Sequence, residues 1–150
     1  TMMGLTPADA AALAGALPAR PVAIGANCGV GPSQLVATIL ALRQAAPSAL
    51  LVAKANCGIP EYRDGQIHYT GTERIMAAYA RLARDAGARI VGGCCGTTAA
   101  HLAAMRKALD SSEPGPVPDL PLVEELLGTL GPQAAGRQQG GRDRRRRPAD

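Results

Sequence analysis

Three short apolar segments, each leading into a turn that carries cysteine, constrain the fold of this chain most strongly. They are residues 21–26, 49–55 and 89–92, followed by Asn27-Cys28, Asn56-Cys57 and Cys94-Cys95. Each has the length of a buried strand, and helix-like stretches separate them. Nearly all-apolar strands that alternate with helices indicate a parallel sheet covered on both faces. The prediction is an α/β fold in which every cysteine comes just after a strand.

Capping residues mark the helix boundaries. A Ser or Thr before an apolar periodic stretch predicts a helix start, and Gly after it predicts a stop. These signals predict helices over residues 7–16 after Thr6, 34–45 after Ser33, 73–85 after Thr72 with a stop at Gly87, and a last helix after Thr98. The segment between the second strand and the third helix, from about residue 60, is predicted to be a polar loop.

The number of strands indicates a part of a larger fold. Three strands cannot close an eight-stranded barrel, and an open three-stranded sheet would expose two edges. Residues 1–110 are therefore predicted to be the C-terminal part of a larger parallel α/β fold, a barrel or a doubly wound sheet, with the cysteines at the strand ends where a TIM barrel builds its active site. Residues 111–130 are predicted to be a proline-rich linker with one short helix, and residues 131–150 a disordered, arginine-rich tail.

The distribution of charge along the chain bears on whether it binds nucleic acid. The net charge of +4 arises entirely from Arg137 onward, where six arginines face two aspartates, while the preceding residues balance ten cations with ten anions. The folded body therefore has no basic excess, and no nucleic-acid partner is expected. No apolar run is long enough for a membrane span and no signal peptide is evident, so a soluble cytoplasmic protein is predicted.

The cysteines carry the chemistry. Cys28, Cys94 and Cys95 at neighbouring strand ends could converge as three thiolates and form a zinc site with one open position, which is typical of catalytic zinc. The backbone would have to turn sharply between Cys94 and Cys95, and the glycines beside them supply that freedom. The alternatives are ordinary buried cysteines or a strained vicinal disulfide.

The motifs that carry these cysteines resemble those of the homocysteine S-methyltransferases. They are Gly25-Ala-Asn-Cys28, Asn56-Cys-Gly-Ile-Pro60 and Gly92-Gly-Cys-Cys-Gly-Thr-Thr98, and the likeness covers roughly residues 1–109. The resemblance implies a (βα)8 barrel, zinc held by Cys28, Cys94 and Cys95, and transfer of a methyl group to homocysteine to give methionine. It assigns no catalytic side chain beyond the metal ligands. It also implies that the N-terminal half of the barrel is missing from this chain.

Betaine is the predicted methyl donor, and methylcobalamin delivered by a separate protein is the alternative. A betaine site needs an aromatic cage for the quaternary ammonium, and only Tyr62 and Tyr69 are candidates here. Assembly with an N-terminal half-barrel or as a homo-oligomer is expected. The competing hypothesis is an inactive zinc-binding or redox fragment that needs the missing half.

Five other residues receive weaker assignments. Asn27 is predicted to orient the substrate or the Cys28 loop, with a simple turn asparagine as the alternative. Cys57 is predicted to be a small core or loop residue rather than a fourth ligand. Glu61 could line the barrel mouth, while His68 and His101 are expected to have structural rather than functional roles.

Overall fold

The computed structural model describes residues 5–29 and 31–130 and contains three strand–loop–helix repeats, as predicted. The elements are α1 Pro7–Ala16, β1 Ala23–Asn27, α2 Pro32–Ala45, β2 Leu50–Ala55, β3 Pro60–Arg63, β4 Gln66–Tyr69, α3 Glu73–Asp85, β5 Ala88–Gly93, α4 Ala99–Asp110 and α5 Leu120–Leu127. None of the helices in this part of the chain has the length and apolarity needed to cross a membrane. The predicted disordered tail lies outside the described residues.

Strands β1, β2 and β5 form one parallel sheet in that order. The register places Asn27 beside Lys54 and Lys54 beside Gly92, so the three strands end at nearly the same level. Because parallel strands have their carboxyl ends at the same edge, the loops that follow β1, β2 and β5 start side by side. This edge is where all four cysteines are found.

Helices cover only one face of this sheet within the described residues, so the prediction of two covered faces is wrong for this part of the chain. Along β2, Leu51, Ala53 and Ala55 are buried, whereas Leu50 and Lys54 are exposed. The buried side chains meet α2 and α3, whose apolar residues form the core. Because side chains alternate between the two faces of a strand, one face of β2 packs into the core and the other faces solvent.

Most predicted helix caps are present, and one is wrong. Thr6 and Asp9 form a reciprocal capping box at α1, and the Thr72 hydroxyl accepts the Ile75 N–H at α3. Helix α2, however, begins at Pro32 after Gly31, and Ser33 lies buried inside its first turn. Proline at the first helical position has the φ angle that a helix needs, and its missing N–H costs nothing there. Pro32 therefore starts α2 two residues earlier than a Ser33 cap would.

The segment predicted to be a polar loop is a β-hairpin instead. Strands β3 and β4 pair antiparallel, with Arg63 opposite Gln66. The two residues between them, Asp64 and Gly65, both have positive φ, 50° and 79°. An Asp-Gly pair is a strong signal for such a two-residue turn, because glycine and aspartate tolerate the left-handed region. The Asp-Gly pair was visible in the sequence. The strands on either side of it were not predicted, because their side chains are mostly polar and show no apolar alternation.

The chain after α4 packs against the same core. Val123 and Leu127 of α5 are buried within the core cluster, and α5 contacts α2 and α3. The Arg84 guanidinium donates to the carbonyls of Ser112 and Glu113 at 2.6 and 2.7 Å, which holds the connecting segment in place. The domain boundary near Asp110 stays a prediction.

Replacing the buried Tyr79 with phenylalanine tests how the end of β2 is held. The Tyr79 hydroxyl, fully buried, accepts the Ala55 N–H at 3.1 Å. Tyr79→Phe would leave that N–H without an acceptor, and we expect a loss of about 1–3 kcal/mol in the free energy of unfolding. Urea denaturation followed by circular dichroism measures it. Tyr62→Phe is the matched control, because that side chain is 77% exposed and should change stability by less than about 0.5 kcal/mol. Equal losses in the two variants would contradict this account.

Candidate metal centre

The carboxyl edge of the parallel sheet brings three of the four cysteines together. Cys28 follows β1, and Cys94 and Cys95 follow β5. The Cys28 and Cys95 sulfurs are 3.9 Å apart, and those of Cys94 and Cys95 are 3.8 Å apart. All three sulfurs lie within 4.8 Å of one another, and all three thiols are free. The three residues predicted from the sequence therefore form one cluster, which we call the three-thiol cluster.

The Cys28 loop is held by hydrogen bonds from two directions. Cys28 itself has a φ of 66° and Gly29 a φ of 90°, so the chain reverses sharply as it leaves β1. The Cys28 N–H donates to the Lys54 carbonyl at 2.9 Å, and the Asn56 amide nitrogen donates to the Gly29 carbonyl at 2.8 Å. A left-handed cysteine is uncommon, and such strain persists only where surrounding contacts enforce it.

The same loop lowers the pKa of the Cys28 thiol. The main cause is the Gly29 N–H, which donates to the sulfur, and the Cys95 thiol and the Asn56 side chain act in the same direction. Hydrogen bonds to the charged form favour it, so Cys28 is prepared to lose its proton. A thiolate is the form that binds metals and attacks electrophiles.

The double-cysteine turn depends on its glycines. The Cys94 N–H donates to the Ala55 carbonyl at 2.7 Å, and the Thr97 N–H closes the turn on the Cys94 carbonyl at 3.1 Å. Gly96 has a φ of 75°, which confirms the predicted need for backbone freedom there. At Gly93 the constraint is space, because a Cβ would lie 2.3 Å from the Thr97 side chain. The turn directs both sulfurs toward Cys28.

Cys95 is the most exposed member of the cluster, and its pKa is shifted in the opposite direction from that of Cys28. Its pKa is raised, chiefly by the hydrogen-bonded Cys94 thiol, with Cys28 adding to the rise. The nearby Tyr69 side chain acts in the opposite direction and lowers the pKa of Cys95. Neighbouring thiols cannot all ionise without repelling one another. A bound cation would remove that conflict.

Cys57 lies outside the three-thiol cluster, in the core as predicted. Its side chain is 1% exposed, and burial raises the pKa of its thiol. The sulfur is 3.4 Å from Nε2 of His101, whose Nδ1 accepts the Thr98 N–H at 3.1 Å. Since Nδ1 is an acceptor, the ring proton is on Nε2 and faces the Cys57 sulfur. His101 therefore joins the start of α4 to the loop after β2, which is a structural role.

The two asparagines at the strand ends occupy different environments. Asn27 is exposed at the end of β1, and its assignment to substrate orientation stays a prediction. Asn56 is 3% exposed, and its Oδ1 is buried without a hydrogen-bond partner among the described residues. Buried acceptors are nearly always satisfied, so this oxygen has unused capacity to accept a hydrogen bond or to bind a ligand. Its signal in the sequence was the second Asn-Cys pair, which repeats the first.

The hairpin brings only one of the two predicted aromatic residues to the cluster. Tyr69, at the end of β4, lies beside Cys95, whereas Tyr62 on β3 is 77% exposed. Glu61 is paired with Arg63 and is opposite His68 across the hairpin. Within the described residues, a cage of several aromatic rings is therefore not formed.

The order in which the cysteines react with an alkylating agent tests these environments. In the reduced, metal-free chain at neutral pH, we expect Cys28 to be alkylated faster than Cys95, and Cys57 last. The reason is the lowered pKa of Cys28, the raised pKa of Cys95, and the burial of Cys57. Iodoacetamide labelling with peptide mass spectrometry measures the order, with the urea-unfolded chain as control. If the folded chain shows the same rates at all three sites, the described environments are wrong.

Comparison with known proteins agrees with the geometry. Residues 1–109 match the family described as Homocysteine S-methyltransferase. Over 102 residues the chain is 30% identical to the S-methylmethionine–homocysteine S-methyltransferase BHMT2 of Pongo abelii, an alignment that covers 57% of this chain and 28% of that protein. The chain thus spans about a quarter of the length of this relative. With a match over most of its residues, the chain belongs to the homocysteine S-methyltransferase family.

Proposed function

We propose that Cys28, Cys94 and Cys95 bind one zinc ion, and that the site serves methyl transfer to the thiol of homocysteine. The observation that carries the proposal is the geometry of the three sulfurs. Around a tetrahedral zinc with Zn–S bonds of about 2.3 Å, neighbouring sulfurs are about 3.8 Å apart. The Cys28–Cys95 and Cys94–Cys95 sulfur separations, 3.9 and 3.8 Å, match that edge length.

The donor set also fits zinc among the common metals. Soft thiolates favour zinc, copper(I) or iron–sulfur clusters, and a mononuclear set of three thiolates with an oxygen suits zinc best. Asn56 offers an oxygen for the fourth position, because its side chain interacts with the Cys28 sulfur and its Oδ1 has no partner among the described residues. A neutral amide oxygen is a weak ligand beside three thiolates. A substrate thiol could therefore replace it.

The residues of the chain would do three things for the reaction. When bound, zinc would supply a Lewis acid that lowers the pKa of a substrate thiol so that it binds as thiolate. The Gly29 N–H and the Asn56 amide would keep Cys28 ionised and in place. The Cys94 N–H bond to Ala55 would fix the double-cysteine turn against β2. The three cysteines would together leave one coordination position for the substrate sulfur.

The sheet suggests how the rest of the site is completed. Within the described residues, β1 and β5 each pair on one side only, and the face of β2 that carries Leu50 and Lys54 is exposed. Additional strands that close a (βα)8 barrel would pair both edges and enclose that face. We propose that these three strands form one sector of such a barrel. Its remaining part would come from an N-terminal half or from another copy, and we propose a cytoplasmic location.

The candidate methyl donors carry the methyl group on a positively charged nitrogen or sulfur, or on cobalt. Betaine and methylcobalamin are the two donors that the family resemblance suggests. The name of the Pongo abelii relative adds S-methylmethionine, whose sulfonium would transfer CH₃ to the homocysteine sulfur and leave as a neutral thioether. In each case a C–S bond forms on homocysteine while the methyl bond of the donor breaks and its electron pair stays with the leaving atom.

A second candidate function is a zinc-binding fragment without activity of its own. The exposed sheet face favours it, because a substrate held there would remain in contact with water on one side. Water competes with hydrogen bonds and screens charges, both of which weaken stabilisation of a transition state. The two candidates share the metal site and differ in turnover.

Zinc content tests the metal site directly. We expect about one zinc per chain in protein purified under reducing conditions, measured by atomic emission. Cys28→Ala should lower zinc affinity by more than the roughly 10–100-fold typical of changes outside the ligand shell. Cys57→Ala, the matched control at a cysteine 1% exposed, should keep full zinc content. Zinc retained in Cys28→Ala, or lost only in Cys57→Ala, would refute the assignment.

Methyl transfer separates the two candidate functions. The zinc-loaded chain is incubated with homocysteine and a methyl-labelled donor, in separate reactions with betaine, S-methylmethionine and methylcobalamin. Labelled methionine detected by mass spectrometry would support the enzyme and name the donor. A fully zinc-loaded chain that gives no labelled methionine with any of the three would favour the fragment. Cys94→Ala is the inactive control, because it removes a proposed ligand.

A further inference from the structure

Lys54 places a positive charge on the exposed face of the parallel sheet, at the level where the three strands end. It lies in register with Asn27 on β1 and with Gly92 on β5, so these positions form one layer across the sheet. Residues in register on parallel strands project from the same face. Because its neighbours on β2, Ala53 and Ala55, are buried against the helices, Lys54 projects from the opposite face.

The same residue lies directly beside the three-thiol cluster. The Lys54 carbonyl accepts the Cys28 N–H at 2.9 Å, and the carbonyl of the following Ala55 accepts the Cys94 N–H at 2.7 Å. The Lys54 side chain leans toward β5, since a Cβ built on Gly92 would lie 3.6 Å from its Cγ, an ordinary contact distance. Gly92 comes two residues before Cys94 and has no side chain of its own. The lysine therefore has room to extend over β5 toward the double-cysteine turn.

The ammonium group of Lys54 has no carboxylate partner among the described residues. The three ion pairs in this part of the chain all use arginine as the cation. An exposed lysine needs no partner, but the proposed barrel would enclose this face, and an enclosed charge is stable only when it is paired and hydrogen-bonded. The neighbouring Asn27 adds an amide with two N–H donors. An ammonium beside such an amide is a suitable site for a carboxylate.

We propose that Lys54 binds the carboxylate of the thiol substrate, so that the metal holds the sulfur while this ammonium holds the acid end. The inference rests on the proposed function and adds a specificity-determining residue to it. In homocysteine a short carbon chain separates the thiol from the carboxylate. Because the Cys28 N–H is hydrogen-bonded to Lys54 itself, both ends of so short a molecule can be held at once. Ammonium–carboxylate contacts are charge-assisted hydrogen bonds, which are stronger than neutral ones. Lys54 would therefore favour thiols that carry a carboxylate.

Two simple thiols separate the carboxylate from the rest of the substrate. Aminopropanethiol is homocysteine without its carboxylate, and mercaptobutyrate is homocysteine without its amine. Binding of each thiol to the cobalt(II)-substituted chain is followed by the change in the visible spectrum of cobalt as the thiol sulfur joins the metal. We expect the unmodified chain to bind homocysteine and mercaptobutyrate about five- to tenfold more tightly than aminopropanethiol.

Lys54→Met removes the charge and nearly keeps the length of the side chain. We expect it to weaken the binding of homocysteine and mercaptobutyrate by about five- to tenfold, and to leave the binding of aminopropanethiol and the metal content unchanged. Lys54→Arg keeps the charge and should retain most of the preference. Lys107→Met is the matched control, since Lys107 is the other lysine of the chain and is exposed in the groove between α3 and α4. Circular dichroism shows whether each variant is folded.

Four outcomes would overturn the inference, and they separate it from the function on which it rests. If Lys54→Met binds all three thiols as tightly as the unmodified chain, Lys54 does not contact the carboxylate and the zinc site stands. If it binds all three equally less tightly, the lysine acts on the metal centre and not on the acid end. If the metal-loaded, unmodified chain binds no thiol or shows no preference for a carboxylate, this site does not exist. If the unmodified chain takes up no metal, the proposed function fails and the inference fails with it.

Discussion

The carboxyl end of strand β2 is the constraint on which the candidate site depends. Its last two carbonyls, those of Lys54 and Ala55, accept the N–H groups of Cys28 and Cys94 at 2.9 and 2.7 Å. One central strand thereby holds the loops that follow both of its neighbours. The Ala55 N–H is held in turn by the buried Tyr79 hydroxyl, whose own pKa is raised by desolvation. The positions of the three sulfurs are thus coupled through a single short stretch of backbone to the helical layer beneath it.

The buried polar groups around this edge have two different kinds of role. Asn56 satisfies its amide nitrogen by holding the Cys28 loop, while its Oδ1 is without a partner among the described residues. The Thr97 hydroxyl, beside Gly93, is in the same state. Unsatisfied buried polar atoms are costly, and both of these follow strands at the carboxyl edge of the sheet. Cys57 and His101, by contrast, satisfy each other and connect the loop after β2 with α4.

Much of the fold was predictable because local signals and tertiary structure agree. Apolar runs of strand length, capping threonines and the stop at Gly87 all correspond to observed element boundaries. The errors have physical causes. Pro32 takes over the start of α2 from Ser33, and the Asp64-Gly65 turn pairs two strands whose exposed, polar side chains lack a burial pattern. Helices cover only one face of the sheet because of how the elements pack. The composition of an apolar strand does not say which of its two faces a helix will cover.

The sequence by itself determined which residues carry the chemistry: two Asn-Cys pairs and a glycine-flanked double cysteine, each after a strand. It could not place them in space, because Cys28 and Cys95 are 67 positions apart and separation along the chain does not fix a distance. Only the tertiary structure decided that three thiols meet while Cys57 turns into the core. It also decided that the Oδ1 of Asn56 is buried without a partner among the described residues and that the Tyr69 ring lies against Gly96. The physical reason is the parallel register, which brings distant strand ends to one edge, where the backbone hydrogen bonds of the loops choose which side chains converge.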